Sequence, residues 1–117
     1  MSRLVGDASA AKRRQHAAVF AALGDETRLA LVSALCSGEA RSIAQLSDGS
    51  KLTRQAITKH LRVLEGAGIV HNRRVGRESR FGLDPAPLRE LREYLGRVSA
   101  QWDEVLARLK ALVESQA

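Results

Sequence analysis

The hydrophobic pattern of this chain changes period at Gly68, and that change limits the folds open to it. Before it, Ile57, Leu61, Leu64 and Gly68 follow the i, i+4, i+7 spacing of a buried helical stripe. Thr53 can cap such a helix, and Gly66 or Gly68 can supply its left-handed stop. After it, residues 69–75 (Ile69-Val70-His71-Asn72-Arg73-Arg74-Val75) and 79–83 (Ser79-Arg80-Phe81-Gly82-Leu83) read as strands joined across Gly76-Arg77-Glu78. A short amphipathic helix that runs straight into a small hairpin predicts a mostly α fold with a β-hairpin appended.

The second face of that helix is polar throughout. Gln55, Thr58, Lys59 and Arg62 share it, and all four form hydrogen bonds. Gln and Arg have bidentate geometry for base edges, Thr brings a hydroxyl and a methyl, and Lys suits phosphate or guanine. Taken alone, such a face is also what a solvated helix presents. The charge distribution separates the two readings. The formal charge of +6 falls in one window: Lys51, Arg54, Lys59, Arg62, Arg73, Arg74, Arg77 and Arg80 stand against Glu65 and Glu78, and the flanking segments nearly cancel. Solubility does not require that confinement; a nucleic-acid footprint does.

Upstream, the chain reads as a series of short helices. Residues 1–9 are expected to be a disordered N-terminus, and residues 10–117 a single domain. An Ala-rich helix over 10–23 carries His16, Val19, Phe20 and Leu23 at helical spacing and ends at Gly24. Asp25 caps the next, which runs to about Cys36 with Leu29, Val32 and Leu35 inward. Ser42 caps a third, shorter helix, and Asp48-Gly49-Ser50-Lys51 turns into the central one. Helix, turn and helix followed by a basic hairpin predict a winged helix-turn-helix.

Asp84-Pro85-Ala86-Pro87 opens the last helix. Along it Leu88, Leu91, Leu95, Val98, Trp102, Val105, Leu109 and Leu112 alternate steps of three and four, with Gly96 as a candidate kink. That seam is about 37 Å long at roughly 1.5 Å per residue. A 117-residue domain cannot cover it all, so its second half, from Trp102 to Leu112, is expected to meet a second copy of the chain.

Several segments together resemble the ArsR/SmtB winged-helix repressors: Phe20-x-Ala22-Leu23-Gly24-Asp25-x-Thr27-Arg28-Leu29, Ser42-Ile43-Ala44-Gln45-Leu46, the run from Thr53 through His60-Leu61 to Ala67-Gly68-Ile69-Val70, and Gly76-Arg77-Glu78. The resemblance spans roughly residues 15–112. It implies a homodimeric regulator bound to an inverted-repeat operator on double-stranded DNA, with the first and last helices building the dimer. Val19 and Phe20 then join Trp102, Val105, Leu109 and Leu112 in the interface. By position, Arg54, Gln55, Thr58 and Lys59 match the helix that enters the major groove, and Arg74, Arg77 and Arg80 match the wing. Thr53 and Arg62 flank the same surface. Lys51, Arg73, Arg74 and the N-terminal helix would contact phosphates, and Arg77 would enter the minor groove.

The chain departs from the metal-sensing members. Their Cys-x-Cys pair falls here on Ser42 and Ala44, or one position earlier on Arg41 and Ile43, and no histidine follows His71. The resemblance is therefore to a branch that senses no metal; no cofactor is expected, and any effector is unknown. Cys36 reads as a small packing residue or otherwise a redox thiol, His60 as a core or phosphate-contacting group, and His16 and His71 as partly exposed surface residues. Neither a nucleophile–base pair nor a phosphate-cradling Gly loop is evident, so an enzyme is not expected. One cysteine and the lack of an apolar span point to the cytoplasm, without membrane. Two other readings stay open: a metal- or organic-ligand-responsive sensor on the same fold, and an adaptor whose seam binds a partner helix.

Overall fold

The computed structural model describes residues 7–115. In chain order the elements are α1 (Asp7–Leu23), α2 (Glu26–Leu35), β1 (Arg41–Ser42), α3 (Ile43–Ser47), α4 (Arg54–Gly66), β2 (Val70–Val75), β3 (Glu78–Leu83) and α5 (Pro85–Ser115). The sheet is antiparallel in the order β1-β3-β2. This is a winged helix-turn-helix, with α3 and α4 as the helix pair and β2–β3 as the wing.

Each end of the central helix is closed by its own sequence. Thr53 Oγ1 accepts from the Ala56 amide at 3.0 Å. At the other end Gly68 takes φ 77°, its amide donates to Glu65 O at 2.9 Å, and the Ile69 amide donates to Leu64 O at 3.0 Å. That pair of bonds is a Schellman stop, so of the two glycines Gly68 makes it. Ile69 and Leu64, which flank the stop, are both fully buried. The stop thus turns the chain directly from the core stripe into the first wing strand.

Ile57, Leu61 and Leu64 pack with Val19, Ala22, Leu31, Leu35, Ile69, Phe81 and Leu91. One stripe of α4 is thereby covered by residues of α1, α2, the sheet and the start of α5. α3 is held by a capping box: Ser42 Oγ accepts from the Gln45 amide at 3.1 Å, and Gln45 Oε1 accepts from the Ser42 amide at 2.9 Å. The wing closes on Gly76 at φ 64°, with Val75 opposite Glu78. A two-residue loop with positive φ only at its first position is a type II′ turn, which matches strand twist.

The structure amends several expectations. α1 begins at Asp7 rather than Ala10; residues 1–6 of the expected disordered N-terminus lie outside the described residues. The loop of the wing is Gly76-Arg77, and Glu78 belongs to β3. β1 is an added third strand, too short for its two residues to show any alternation. Leu29 is 52% exposed, not inward. Six residues of helix turn through about 600°, which leaves Leu29 about 120° around from Leu35. Leu31 takes the inward position. Cys36 is exposed rather than packed, because it is the C-cap of α2 and its amide closes that helix. His16 is 6% exposed, not a surface residue, since α5 lays Tyr94 against it with ring centroids 4.8 Å apart.

The last helix leaves the body of the protein. Leu91 is buried, but Leu95, Trp102, Leu106, Leu109, Leu112 and Val113 are all exposed. The molecule measures 67 × 36 × 22 Å with a radius of gyration of 19.5 Å, whereas a compact chain of this size has about 13 Å.

Leu64→Ala removes a side chain with no exposure and should destabilise the fold by about 2–5 kcal/mol. Leu29→Ala should cost less than about 1 kcal/mol. Urea unfolding of both variants at one fixed protomer concentration checks the contrast.

Candidate nucleic-acid interface

The face of α4 opposite its buried stripe is open. Arg54, Gln55, Lys59 and Arg62 are exposed along it, and Thr58 is half-buried with its hydroxyl donating to Arg54 O at 2.7 Å. That bond holds the Thr58 methyl and oxygen in one orientation on the helix surface. Between this face and Ile43 of α3 lies an open trough of about 520 Å³ lined by Arg54, Gln55, Thr58 and Lys59. Lys51 and Thr53, in the turn before α4, are exposed beside it. The sequence therefore brings the turn and the polar helix face together on one surface.

The wing adds its own cations. Arg77 sits at the exposed tip, with Arg73 and Arg74 on the outer strand β2. Arg73 pairs directly across from Arg80, and Arg74 from Ser79. Two like charges face to face are unfavourable. Arg80 is partly neutralised, since its Nε donates to Glu78 Oε1 at 2.8 Å. Arg80 is thus the least available of the basic residues expected in the wing.

Behind α4 a polar cluster fixes its angle to α1 and α2. Asp25 caps α2 by accepting from the Arg28 amide at 3.0 Å. The Arg28 side chain donates back to Ala22 O, at the end of α1, and its Nη1 lies 3.2 Å from His60 Nδ1 on α4. His60 Nδ1 is also 3.7 Å from Asp25 Oδ2. His60, expected as a core or phosphate-contacting residue, instead joins α4 to Arg28 and Asp25 of α2 and its cap, and Arg28 carries the link on to α1. Sequence reading found Asp25 as a cap but missed Arg28. The signal available was their three-residue spacing, which places Arg28 over its own cap. The Arg28 amide bond, above all, holds the Asp25 carboxyl below its ordinary range; desolvation opposes it, and the charges of Arg28 and His60 and the Thr27 amide add smaller pulls in the same downward direction.

The expected dimer residues fall into two groups. Val19 is 7% exposed and packs in the core of its own chain, so it is not free to meet a partner. Its place in the Ala-rich helix turns it toward α4 rather than outward. Phe20 is partly exposed and lies edge-on to Tyr94, with centroids 6.2 Å apart. Trp102, Leu109 and Leu112 are exposed and Val105 is half-buried. Sequence reading passed over Leu106 and Val113, which widen the exposed apolar face beyond the seam, Val113 at 68%.

Ser42 and Ala44, which stand at the metal-sensing positions of the resembled family, offer no thiolate, and the Ser42 hydroxyl is engaged in the α3 cap. Among the described residues no three His, Cys, Asp or Glu side chains come together. No helix among them is long and apolar enough to cross a membrane.

A recognition-type helix on a helix-turn-helix, flanked by a basic wing, defines a winged helix-turn-helix DNA-binding protein. Known proteins agree: residues 23–73 match the family described as "Helix-turn-helix domain". The HTH-type transcriptional regulator Rv2034 of Mycobacterium tuberculosis is 34% identical over 95 residues, covering 81% of this chain and 85% of the relative. The ArsR-like transcriptional regulator from Rhodococcus sp. RHA1 superposes with a TM-score of 0.74 at 38% identity, covering 87% of this chain and 95% of that one. The homodimeric winged helix-turn-helix DNA-binding domain Mb0332 from Mycobacterium bovis shares the fold with a TM-score of 0.66 at 22% identity, over 88% of this chain and 94% of its own. The chain belongs to the ArsR/SmtB family of DNA-binding transcriptional regulators.

The lowered Asp25 carboxyl yields a pH dependence. Its folded form binds a proton more weakly than the unfolded chain. The stability it contributes is therefore complete above the ordinary Asp value of about 3.9 and is lost as pH falls through the lowered folded value. Asp25→Asn keeps an acceptor for the Arg28 amide but removes the charge. It should flatten this part of the acid limb of stability, as thermal melts between neutral pH and about pH 3 will show.

Proposed function

We propose that the chain acts as a homodimeric repressor that binds an inverted-repeat operator, with one α4 of the dimer in each of two successive major grooves. Gln55, Thr58 and Lys59 read bases. Lys51, Thr53, Arg54, Arg62, Arg73 and Arg74 hold phosphates and set the register, and Arg77 enters the minor groove from the wing tip, with Arg80 at its base. The observation that carries this reading is the division of α4 into a fully buried stripe of Ile57, Leu61 and Leu64 and an opposite face of exposed Arg54, Gln55, Lys59 and Arg62.

The dimer rests on the far half of α5. Trp102 is 61% exposed on a helix that runs free of its own domain, and with Leu109, Leu112 and Val113 it forms a run of exposed apolar side chains of the kind that marks an interaction surface. The homodimeric form of the Mycobacterium bovis domain favours a second copy as the cover. The family and the similar regulators are not enzymes, and nothing in this reading asks for a reaction.

Gln55→Ala and Lys59→Ala should each weaken operator binding by about 1–3 kcal/mol while leaving binding to a scrambled duplex nearly unchanged. Arg73→Ala should weaken both duplexes equally and flatten the salt slope. Titrations at two salt concentrations separate the outcomes, and an equal loss on both duplexes for Gln55→Ala would remove it from the base-reading set.

Leu109→Asp places two carboxylates in the proposed apolar interface, where unpaired charges cost several kcal/mol each after relaxation. The variant should sediment as a monomer. Operator affinity should fall to the non-specific level, because the spacing of about 34–36 Å between recognition helices is lost with the dimer. Arg108→Asp, at an exposed neighbouring position, should remain dimeric. A dimeric, operator-binding Leu109→Asp protein would show that the seam does not make the dimer.

A further inference from the structure

We propose that the notch between the first half of α1 and the middle of α5 is a binding site for a single-ring aromatic carboxylate. The notch has a volume of about 220 Å³ and is lined by Ser9, Lys12, Arg13, His16, Tyr94 and Arg97. Its floor is aromatic: the His16 and Tyr94 rings lie 4.8 Å apart at 35°, and Phe20, outside the lining, supports Tyr94 edge-on at 6.2 Å and 62°. The chain has only two Phe, one Tyr and one Trp. Three of its ring-bearing side chains, two of them aromatic in that narrow sense, meet at this one place.

The rim is cationic. Arg13 and Arg97 are exposed and make no ion pair among the described residues, whereas Lys12 is engaged by Glu90 at 3.4 Å. Two guanidiniums above an aromatic floor select an anion with a flat body, because a guanidinium pairs bidentately with a carboxylate and the floor rewards a ring. The volume sets the size. A cavity of about 150 Å³ accommodates benzene, so this open notch has room for one ring with a carboxylate.

His16 adds a polar edge to the aromatic floor of the notch. The residue is 6% exposed, yet among the described residues its ring nitrogens have no hydrogen-bond partner. No fully buried side-chain nitrogen or oxygen among those residues lacks a partner either, so the unpaired ring nitrogen opens onto the notch and not into the core. That nitrogen is open to water, and a carboxylate held by Arg13 and Arg97 would take the place of water as its partner.

The test is calorimetric titration of the full chain with sodium benzoate, with benzamide as the uncharged isostere. Saturable binding of one benzoate per chain is expected, weakened at least tenfold in Arg97→Gln and in His16→Phe, with benzamide at least tenfold weaker than benzoate. Arg97 is on the surface, so Arg97→Gln keeps the test decisive should His16→Phe fail to fold. Absence of saturation, equal affinity for benzamide, or undiminished affinity in Arg97→Gln overturns the site. An Arg97→Gln protein that loses DNA affinity without ligand while binding benzoate normally also overturns it, by assigning this cation to DNA phosphates. The titration needs no operator, so its outcome is independent of the proposed mode of DNA binding.

Discussion

Everything in this fold hangs on the burial of one side of a thirteen-residue helix. Leu61 and Leu64 have no exposure and Ile57 almost none. Together they pack in one cluster with residues of α1, α2, the sheet and the start of α5. Full burial of such a side chain stabilises by about 1.5–3 kcal/mol. Three on one stripe therefore fix the rotation of the helix about its axis. Once that rotation is set, the residues on the other side have one direction to face. A polar side chain at position 55, 59 or 62 is aimed outward by leucines on the far side, not by anything it touches itself.

The same logic explains why the polar cluster at Asp25, Arg28 and His60 is placed where it is. Apolar burial fixes rotation well but resists sliding along the helix axis less, because one leucine can replace another in a groove. Directional bonds resist sliding. Arg28 ties the end of α1 to α4 through Ala22 O and His60, while Asp25 ties Arg28 to the start of α2. The cluster lies on the inner side of the recognition helix, so it can set the position of the reading face without occupying it. Opposing charges on the wing follow a second economy. Arg73 and Arg80 face each other across the strands, an arrangement that costs stability in the free protein. Glu78 relieves it on one side only, which leaves Arg73 uncompensated on the outer strand.

What could be read in advance was what depends on local chemistry. The helix caps at Asp25, Ser42 and Thr53, the stop at Gly68 and the hairpin turn at Gly76 each rest on residues within five positions of one another; the caps stand where the sequence places them, the stop takes the second of its two candidate glycines, and the turn is one residue shorter than expected. The errors lie where a distant element decides. His16 is buried because Tyr94, far along the chain, comes to lie on it. Val19 turns inward because α4 is there to receive it. β1 is a strand only because β3 passes beside it: Arg41 and Ser42 have no pattern of their own. Leu29 failed for a different reason, since steps of three drift around a helix and an inward set needs fours as well. Arg28 was visible as a residue but not as a link, because its partners belong to two other helices. The outward face of α4 was legible for the opposite reason: a surface is what remains when the core is known.

α5 joins three parts of the molecule that the sequence presents separately. Leu91 is anchored in the core, Tyr94 and Arg97 line the notch against α1, and the apolar face from Trp102 to Val113 stands clear of the domain. These lie on one continuous helix, so they cannot move independently. The helix from Leu91 to Leu109 spans about 27 Å, and a tilt of about 5° at the core end displaces Leu109 by about 2 Å. Packed apolar surfaces do not stretch to follow such a shift; they hold or they repack. A change in how α5 leans on α1 at the proposed notch would therefore be delivered, enlarged, to the exposed face. Arg97 stands nearly at the pivot and Val113 at the end of the lever, and the helix between them carries no proline to absorb the motion.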